Sequence, residues 1–175
     1  MPGPIFSLSA QRHLAGPVQP PTNRFIAKIE PESRSRLRIR AFTMKDFAAV
    51  SELWRRSGLE NRPGDSREEV LTKLNRDSDL FLVAEERSKI VGVAMGAWDG
   101  RRGWVYHLAV DPASRRRGIA TKMLLEVERR MKKNRVPRIH SLVFAWNTPS
   151  LELFDSLGYE RQSDLIVLGK TLKRG

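Results

Sequence analysis

The chain of 175 residues carries 32 lysines and arginines against 20 aspartates and glutamates, a formal charge of +12, and no cysteine. Without cysteine there is no disulfide framework, thiolate nucleophile or Cys-ligated zinc. His13, His107 and His140 are too scattered for metal-ligand spacing, so no metal is expected. The length fits one domain plus a tail, and the charge attracts anions (nucleic acid, acidic membrane or a small polyphosphate) without choosing among them.

Residues 1–34 hold Pro2, Pro4, Pro17, Pro20, Pro21 and Pro31, few acids and no sustained periodicity. This composition predicts a disordered basic extension, with a folded domain over 35–175. Arg12 and Arg24 suggest a weak targeting peptide, but no apolar stretch with a cleavage site accompanies them. No segment approaches the apolar length of a membrane span.

From Arg36 the pattern changes. Leu37, Ile39 and Ala41 alternate with Arg36, Arg38 and Arg40, which predicts a half-buried strand with a basic outer face. Thr43 and Asp46 read as a capping box before a helix whose inner face carries Phe47, Val50, Leu53 and Trp54, stopped by Gly58. After Pro63-Gly64, Ser66 and Glu69 form a second capping box for a short helix through Val70, Leu71 and Leu74. Leu80 to Ala84 reads as a buried strand and Ile90 to Trp98 as its antiparallel return. Gly92 and Gly96 there mark a bulge or a place where something packs on the backbone.

Val105 to Val110 is the next strand, and it ends at Asp111-Pro112. Three arginines, Arg115 to Arg117, then precede Gly118, where a helix begins with Ala120, Leu124, Val127 and Met131 on its apolar face and ends near Asn134. The first N–H groups of a helix lack intrahelical partners, and the dipole adds positive charge there. A strand, an arginine-rich turn and a glycine at a helix start are thus a layout for holding an anion. The basic residues at the far end of this helix, Arg129 to Arg135, complement its C-terminal dipole.

Ile139 to Trp146 is apolar almost throughout and predicts a strand covered on both faces. Thr148 as N-cap and Pro149 at the first position open a last helix carrying Leu151, Leu153, Phe154 and Leu157, which stops at Gly158. Asp164 to Leu172 reads as a final strand. The succession of strand, two helices, three strands, helix, strand, helix and strand is a mixed α+β sheet with helices on both faces.

Two of these stretches together resemble a known family. Val110-Asp111-Pro112 followed by Arg115-x-x-Gly118-x-Ala120, and then Asn147 through Leu157-Gly158-Tyr159, are similar to the two signatures of the GNAT superfamily of N-acetyltransferases. The resemblance covers residues 36 to 172. Within it, Leu80 to Glu86, Met95-Gly96, Asp99-Gly100, Arg102-Gly103 and Val167 to Lys170 look most like the small YpeA-type acetyltransferases.

The resemblance implies a mostly antiparallel sheet of six to seven strands with one splayed pair, and direct acetyl transfer from acetyl-CoA to a primary amine. The acceptor would be a small molecule, a protein N-terminus or a lysine, and the enzyme a cytoplasmic monomer or homodimer without a metal. The pyrophosphate would lie on the backbone from about Arg116 to Thr121, including Ile119, with Arg115, Arg116 and Arg117 supplying charge. The pantetheine arm would follow Leu108, Ala109 and Val110, and an N–H at Leu108 or Ala109 would stabilise the oxyanion. Asn147 would bond the arm or cap the last helix.

Two positions depart from the family pattern. Phe154 stands beside the arm where many relatives have a tyrosine that protonates the thiolate, and Leu142 stands where some carry a glutamate base. Tyr106 and His107 remain as catalytic candidates, one of which faces the cleft if the strand alternates. Glu60 and Asp65 fall in the segment expected to line the acceptor side. Two alternatives stay open. A catalytically silent acetyl-CoA sensor is suggested by Phe154, and a nucleic-acid-binding module by the charge. The second lacks any helix-turn-helix, aromatic RNA-binding or zinc motif, so nucleic acid is disfavoured. A kinase-like nucleotide site is disfavoured too, because no Gly-Lys-Ser or Gly-Lys-Thr follows the loop.

Overall fold

Alternation and capping fix the first half of the domain as the sequence predicts. The computed structural model describes residues 36–59 and 63–172; the N-terminal extension and Glu60 lie outside them. Strand β1 (Arg38–Ala41) leads through a short 3-10 turn to helix α1 (Phe47–Arg56), and Ser66 caps helix α2 (Arg67–Arg76). Strands β2 (Phe81–Glu86), β3 (Lys89–Trp98) and β4 (Gly103–Val110) follow as an antiparallel meander. Helix α3 (Ile119–Lys133) then crosses over to β5 (Ile139–Ser141), which runs parallel to β4, and helix α4 (Thr148–Ser156) comes last. The sheet order is β1-β2-β3-β4-β5.

Because side chains alternate across the strands, the sheet carries two cores. On one face Leu80, Leu82, Ala84, Val105 and Val110 pack with Ile119, Met123, Leu124, Val127 and Met131 of α3 and with Phe154 of α4. On the other, Phe81, Val83, Val93, Met95 and Ala109 pack with Val50, Leu53 and Trp54 of α1 and Val70 of α2. The β3 glycines are sites of close approach: a β-carbon on Gly92 would fall 2.7 Å from Met123 Sδ. Lys73 ties α2 to the sheet through Asp77 and the Gly96 carbonyl.

Several expectations are corrected. Strand β4 does not simply alternate. Val93 pairs with Ala109 and Met95 with Tyr106, so His107 and Leu108 together oppose one residue of β3, and His107 takes φ 52°. This bulge turns both Tyr106 and His107 toward the α1–α2 face, instead of one to each side. It also bends β4 away from its parallel neighbour, and the β4–β5 ladder ends at Val105 and Ser141. The expected strand over Ile139 to Trp146 therefore stops after three residues, and Leu142 and Trp146 are exposed, not covered.

The segment Asp164 to Leu172 forms no strand, and the sheet has five strands among the described residues instead of six or seven. The last helix is capped by Asn147, whose Oδ1 accepts from the Ser150 N–H at 3.3 Å; Thr148 and Pro149 are its first two residues.

Candidate active site

The turn between β4 and α3 is built by its own side chains. Asp111 Oδ1 accepts from the Ala113 N–H at 3.0 Å, and its other oxygen pairs with Arg56 Nη1 at 2.8 Å, which fixes the turn to α1. Arg115 Nε donates to the Val110 carbonyl at 3.1 Å and folds the loop back on the end of β4. Arg116 and Gly118 both take left-handed backbone, φ 58° and 71°. Such conformations turn successive N–H groups to one side, a concavity suited to an anion.

The backbone accounting agrees. The first helical bond of α3 runs from the Lys122 N–H to the Gly118 carbonyl. Among the described residues, none of the N–H groups from Arg116 to Thr121 donates to a protein acceptor. Nothing lies within 4 Å of a β-carbon built on Gly118, so the helix start is open to a ligand. A diphosphate fits this run of donors at the positive end of a 15-residue helix.

The three arginines have separate fates. Arg117 is held by Glu86 in a two-pronged pair at 2.7 and 2.9 Å, which raises its pKa further, and Arg115 is spent on Val110. Arg116 makes no side-chain bond or ion pair among the described residues and is the guanidinium available to an incoming anion.

Beyond Val105, one edge of β4 is released by the splay. From Tyr106 to Val110 the strand keeps its β3 partner but has no β5 partner. Along this edge Leu108, Ala109 and Val110 have no β5 partner, the Val110 carbonyl accepts from Arg115, and their side chains pack in the cores. On the α1–α2 side of this edge sit Tyr106 and His107, their rings 5.8 Å apart. His107 stands edge-on to Trp54 at 5.0 Å, and its Nε2 is 2.9 Å from Oδ1 of buried Asp65, without the alignment of an N–H···O hydrogen bond. Burial pushes the Tyr106 phenol up, and Asp77 adds to the shift.

Other positions are structural. Phe154 is 7% exposed and packs edge-on against Tyr159 at 4.9 Å. The Tyr159 hydroxyl donates to Glu128 at 3.1 Å, so it does not replace the missing acid in the cleft. Asn147 spends its carbonyl oxygen on the helix cap. His140 lies against Trp104, its pKa lowered by burial and then by Arg102 and Arg138. Asp65 is the residue that sequence reasoning undervalued: a loop acid gives no local sign that it will be buried against a histidine on a distant strand.

Among the described residues no group of acids and histidines could hold a metal ion, and no helix is long and apolar enough to cross a membrane.

Comparison with known proteins agrees with this geometry. Residues 47–159 match the model of the acetyltransferase (GNAT) family. An acetyltransferase of Pectobacterium atrosepticum is 41% identical over 136 residues, 78% of this chain and 96% of that protein. One of Sodalis glossinidius is 38% identical over the same shares. Among solved structures, the PaiA N-acetyltransferase of Thermoplasma acidophilum in complex with coenzyme A superposes with a TM-score of 0.67 at 21% identity, covering 73% of this chain and 91% of that one. A family match from the start of α1 to just beyond α4, together with relatives at this identity over nearly their whole length, shows that the chain belongs to the GNAT family of acetyltransferases.

Proposed function

We propose that this acetyltransferase moves the acetyl group of acetyl-CoA directly to a primary amine while both substrates are bound. The observation that carries this reading is the β4 edge: from Tyr106 to Val110 it has no β5 partner, and the chain then leads to the unbonded N–H groups of Arg116 to Thr121. A flexible amide-bearing arm ending in a diphosphate matches that sequence of donors and acceptors.

The diphosphate lies on the amides of Arg116 to Thr121 with Arg116 beside it and the Thr121 hydroxyl as a further donor. The pantetheine arm pairs with Leu108 to Val110 as an added strand would. The thioester carbonyl then falls near the bulge, where an N–H of Leu108 or Ala109 supports the oxyanion. Alignment of the two reactants supplies much of the acceleration. Asn147 caps α4 and keeps its amide NH2 for the arm, while Phe154 shapes the cleft from within the core. The acceptor is a small-molecule amine, a protein N-terminus or a lysine, and the enzyme works in the cytoplasm as a monomer or homodimer.

Calorimetric titration with acetyl-CoA, followed by a thiol-release assay over spermidine, a peptide with a free N-terminus and a lysine peptide with a blocked N-terminus, tests the reading. Binding with release on at least one amine is expected. Absence of acetyl-CoA binding would overturn it. Phe154 favours a second reading, a silent acetyl-CoA sensor, and binding without release on any amine would select that one.

A further inference from the structure

At the end of the sheet opposite the Arg115–Gly118 turn, the β3–β4 turn and the α3–β5 connection meet. The Gly103 N–H donates to the Arg138 carbonyl at 2.8 Å, and a β-carbon on Gly103 would fall 2.6 Å from Met131 Sδ near the end of α3. This junction gathers Arg101, Arg102, Arg135 and Arg138 around two adjoining clefts of about 410 Å³ each, which share Arg102 and Arg138. Trp98 lines the first cleft and Trp104 the second. We infer that this end of the molecule binds single-stranded nucleic acid, with the guanidinium groups on its phosphates and Trp98 stacked on a base. The site stands independently of acetyl transfer.

Four guanidinium groups held this close repel one another, and the fold does little to neutralise them. Arg101, Arg102 and Arg135 make no side-chain hydrogen bond or ion pair among the described residues. Arg138 has one contact, 3.4 Å to Glu160, whose side chain is 80% exposed; water screens such a pair. Asp99, the acid within the turn, is spent on the Arg101 and Arg102 N–H groups at 2.8 and 2.7 Å and on Trp104 Nε1 at 3.1 Å. Elsewhere Arg40, Arg56, Arg117 and Arg130 are each paired with an acid of the domain. Complementing the α3 dipole does not call for the cluster, because Arg130, Lys132 and Lys133 already stand on the last turn of that helix.

A guanidinium presents paired N–H donors that match phosphate oxygens. Charge alone would suit an acidic peptide as well, and the indoles decide between them. Trp98 is 36% exposed in the same cleft as Arg101 and Arg102, and a ring placed there offers a base a stacking face that an acidic side chain cannot use. Trp98 pairs with Gly103, which faces α3, so Trp104 at the next position points to the other side of the sheet. The two clefts therefore wrap around the sheet end, a path open to a flexible strand and closed to a rigid duplex. Helix α3 has 15 residues, so about 22 Å separates this end from the helix start at Gly118. No nucleic-acid motif appears in the sequence because the surface is assembled from two turns that only the crossover brings together.

The test uses the full chain and a fluorescein-labelled oligouridine of about twelve nucleotides, followed by anisotropy over potassium chloride from about 50 to 200 mM. Binding should weaken at least about ten-fold across that series. Arg102→Gln combined with Arg138→Gln should raise Kd at least about ten-fold and flatten the salt dependence. Trp98→Ala should raise Kd about five-fold or more and keep the salt dependence, since stacking is not ionic. Far-UV circular dichroism of both variants should match that of the parent, and saturating acetyl-CoA should leave the oligouridine Kd unchanged. No binding by the parent at the lowest salt, a double variant within about two-fold of the parent, or displacement of oligouridine by acetyl-CoA would overturn the site. Parent affinity in Trp98→Ala, or equal affinity for polyglutamate or for a duplex of the same length, would overturn the assignment to a single strand, because these share the charge without accessible bases.

Discussion

Gly96 of β3 lies under Val127 of α3 so closely that a β-carbon at 96 would come 3.0 Å from Val127 Cγ1 and 3.1 Å from the Leu80 carbonyl oxygen. The second of these neighbours is backbone and cannot swing aside, because it already accepts the Gly96 N–H at 2.8 Å. Helix α3 is seated on the sheet through this contact.

Gly96→Val should therefore destabilise the domain by about 1–3 kcal/mol, the usual cost of forcing extra volume into a packed core. Urea unfolding followed by far-UV circular dichroism measures it: the midpoint falls while the m-value stays constant. A midpoint equal to that of the parent would mean that α3 rides higher on the sheet than described.

Acid sensitivity follows from the Arg40 cluster. Asp46 accepts from Arg40 Nη1 at 2.7 Å and Nη2 at 2.8 Å, and from the Thr43 N–H at 2.8 Å. Arg40 is the main cause of its lowered pKa, with burial opposing. A carboxyl depressed in the folded state stabilises the fold at pH values above its unfolded pKa and loses that contribution as pH falls through the folded one. The parent should thus lose stability from about pH 4 downward. Asp46→Asn should be less stable at neutral pH by about 2 kcal/mol, and the gap should narrow in acid. Melting curves of both proteins at pH 7 and pH 3 check this, and a gap that does not narrow would contradict it.

Much of this arrangement was legible in the sequence because it rests on local rules. The Ser66–Glu69 box, the α3 stripe of Met123, Val127 and Met131, and the glycine-opened helix start are each fixed by spacing alone. The bulge was not. Whether β4 alternates through Tyr106 and His107 depends on its register against β3, a non-local property, and one added residue moves His107 to the other face. Asp65 was hidden for the same reason, since its partner is supplied by that bulge. The apolar run from Ile139 to Trp146 looked like a buried strand because composition reports what a segment would bury, not whether a neighbour is there to cover it.

The loop arginines separate by partner. Arg116→Ala should weaken acetyl-CoA binding about ten-fold, the worth of one charge-assisted bond to phosphate, whereas Arg117→Ala should change it little because Glu86 already holds that side chain. Gly118→Glu should abolish binding while the fold persists. No neighbour lies within 4 Å, so the change places negative charge among the phosphate donors at the cost of about 1–2 kcal/mol for a non-glycine residue in left-handed backbone. Calorimetry on the three variants, with circular dichroism as the fold control, gives the ranking. An Arg117 effect larger than that of Arg116 would reverse the assignment of the loop.

Tyr106 stands beside His107 and is the other group on this strand able to exchange a proton. Burial raises its phenol, and Asp77 raises it further by disfavouring a second negative charge nearby. A phenol shifted upward stays protonated at neutral pH, so it cannot take a proton from an ammonium. Tyr106→Phe should then keep kcat within about three-fold of the parent. Steady-state kinetics of the variant and the parent on one amine make the comparison. A loss of about 100-fold or more in Tyr106→Phe would instead make the phenol a participant in the proton transfer, despite the shift that keeps it protonated.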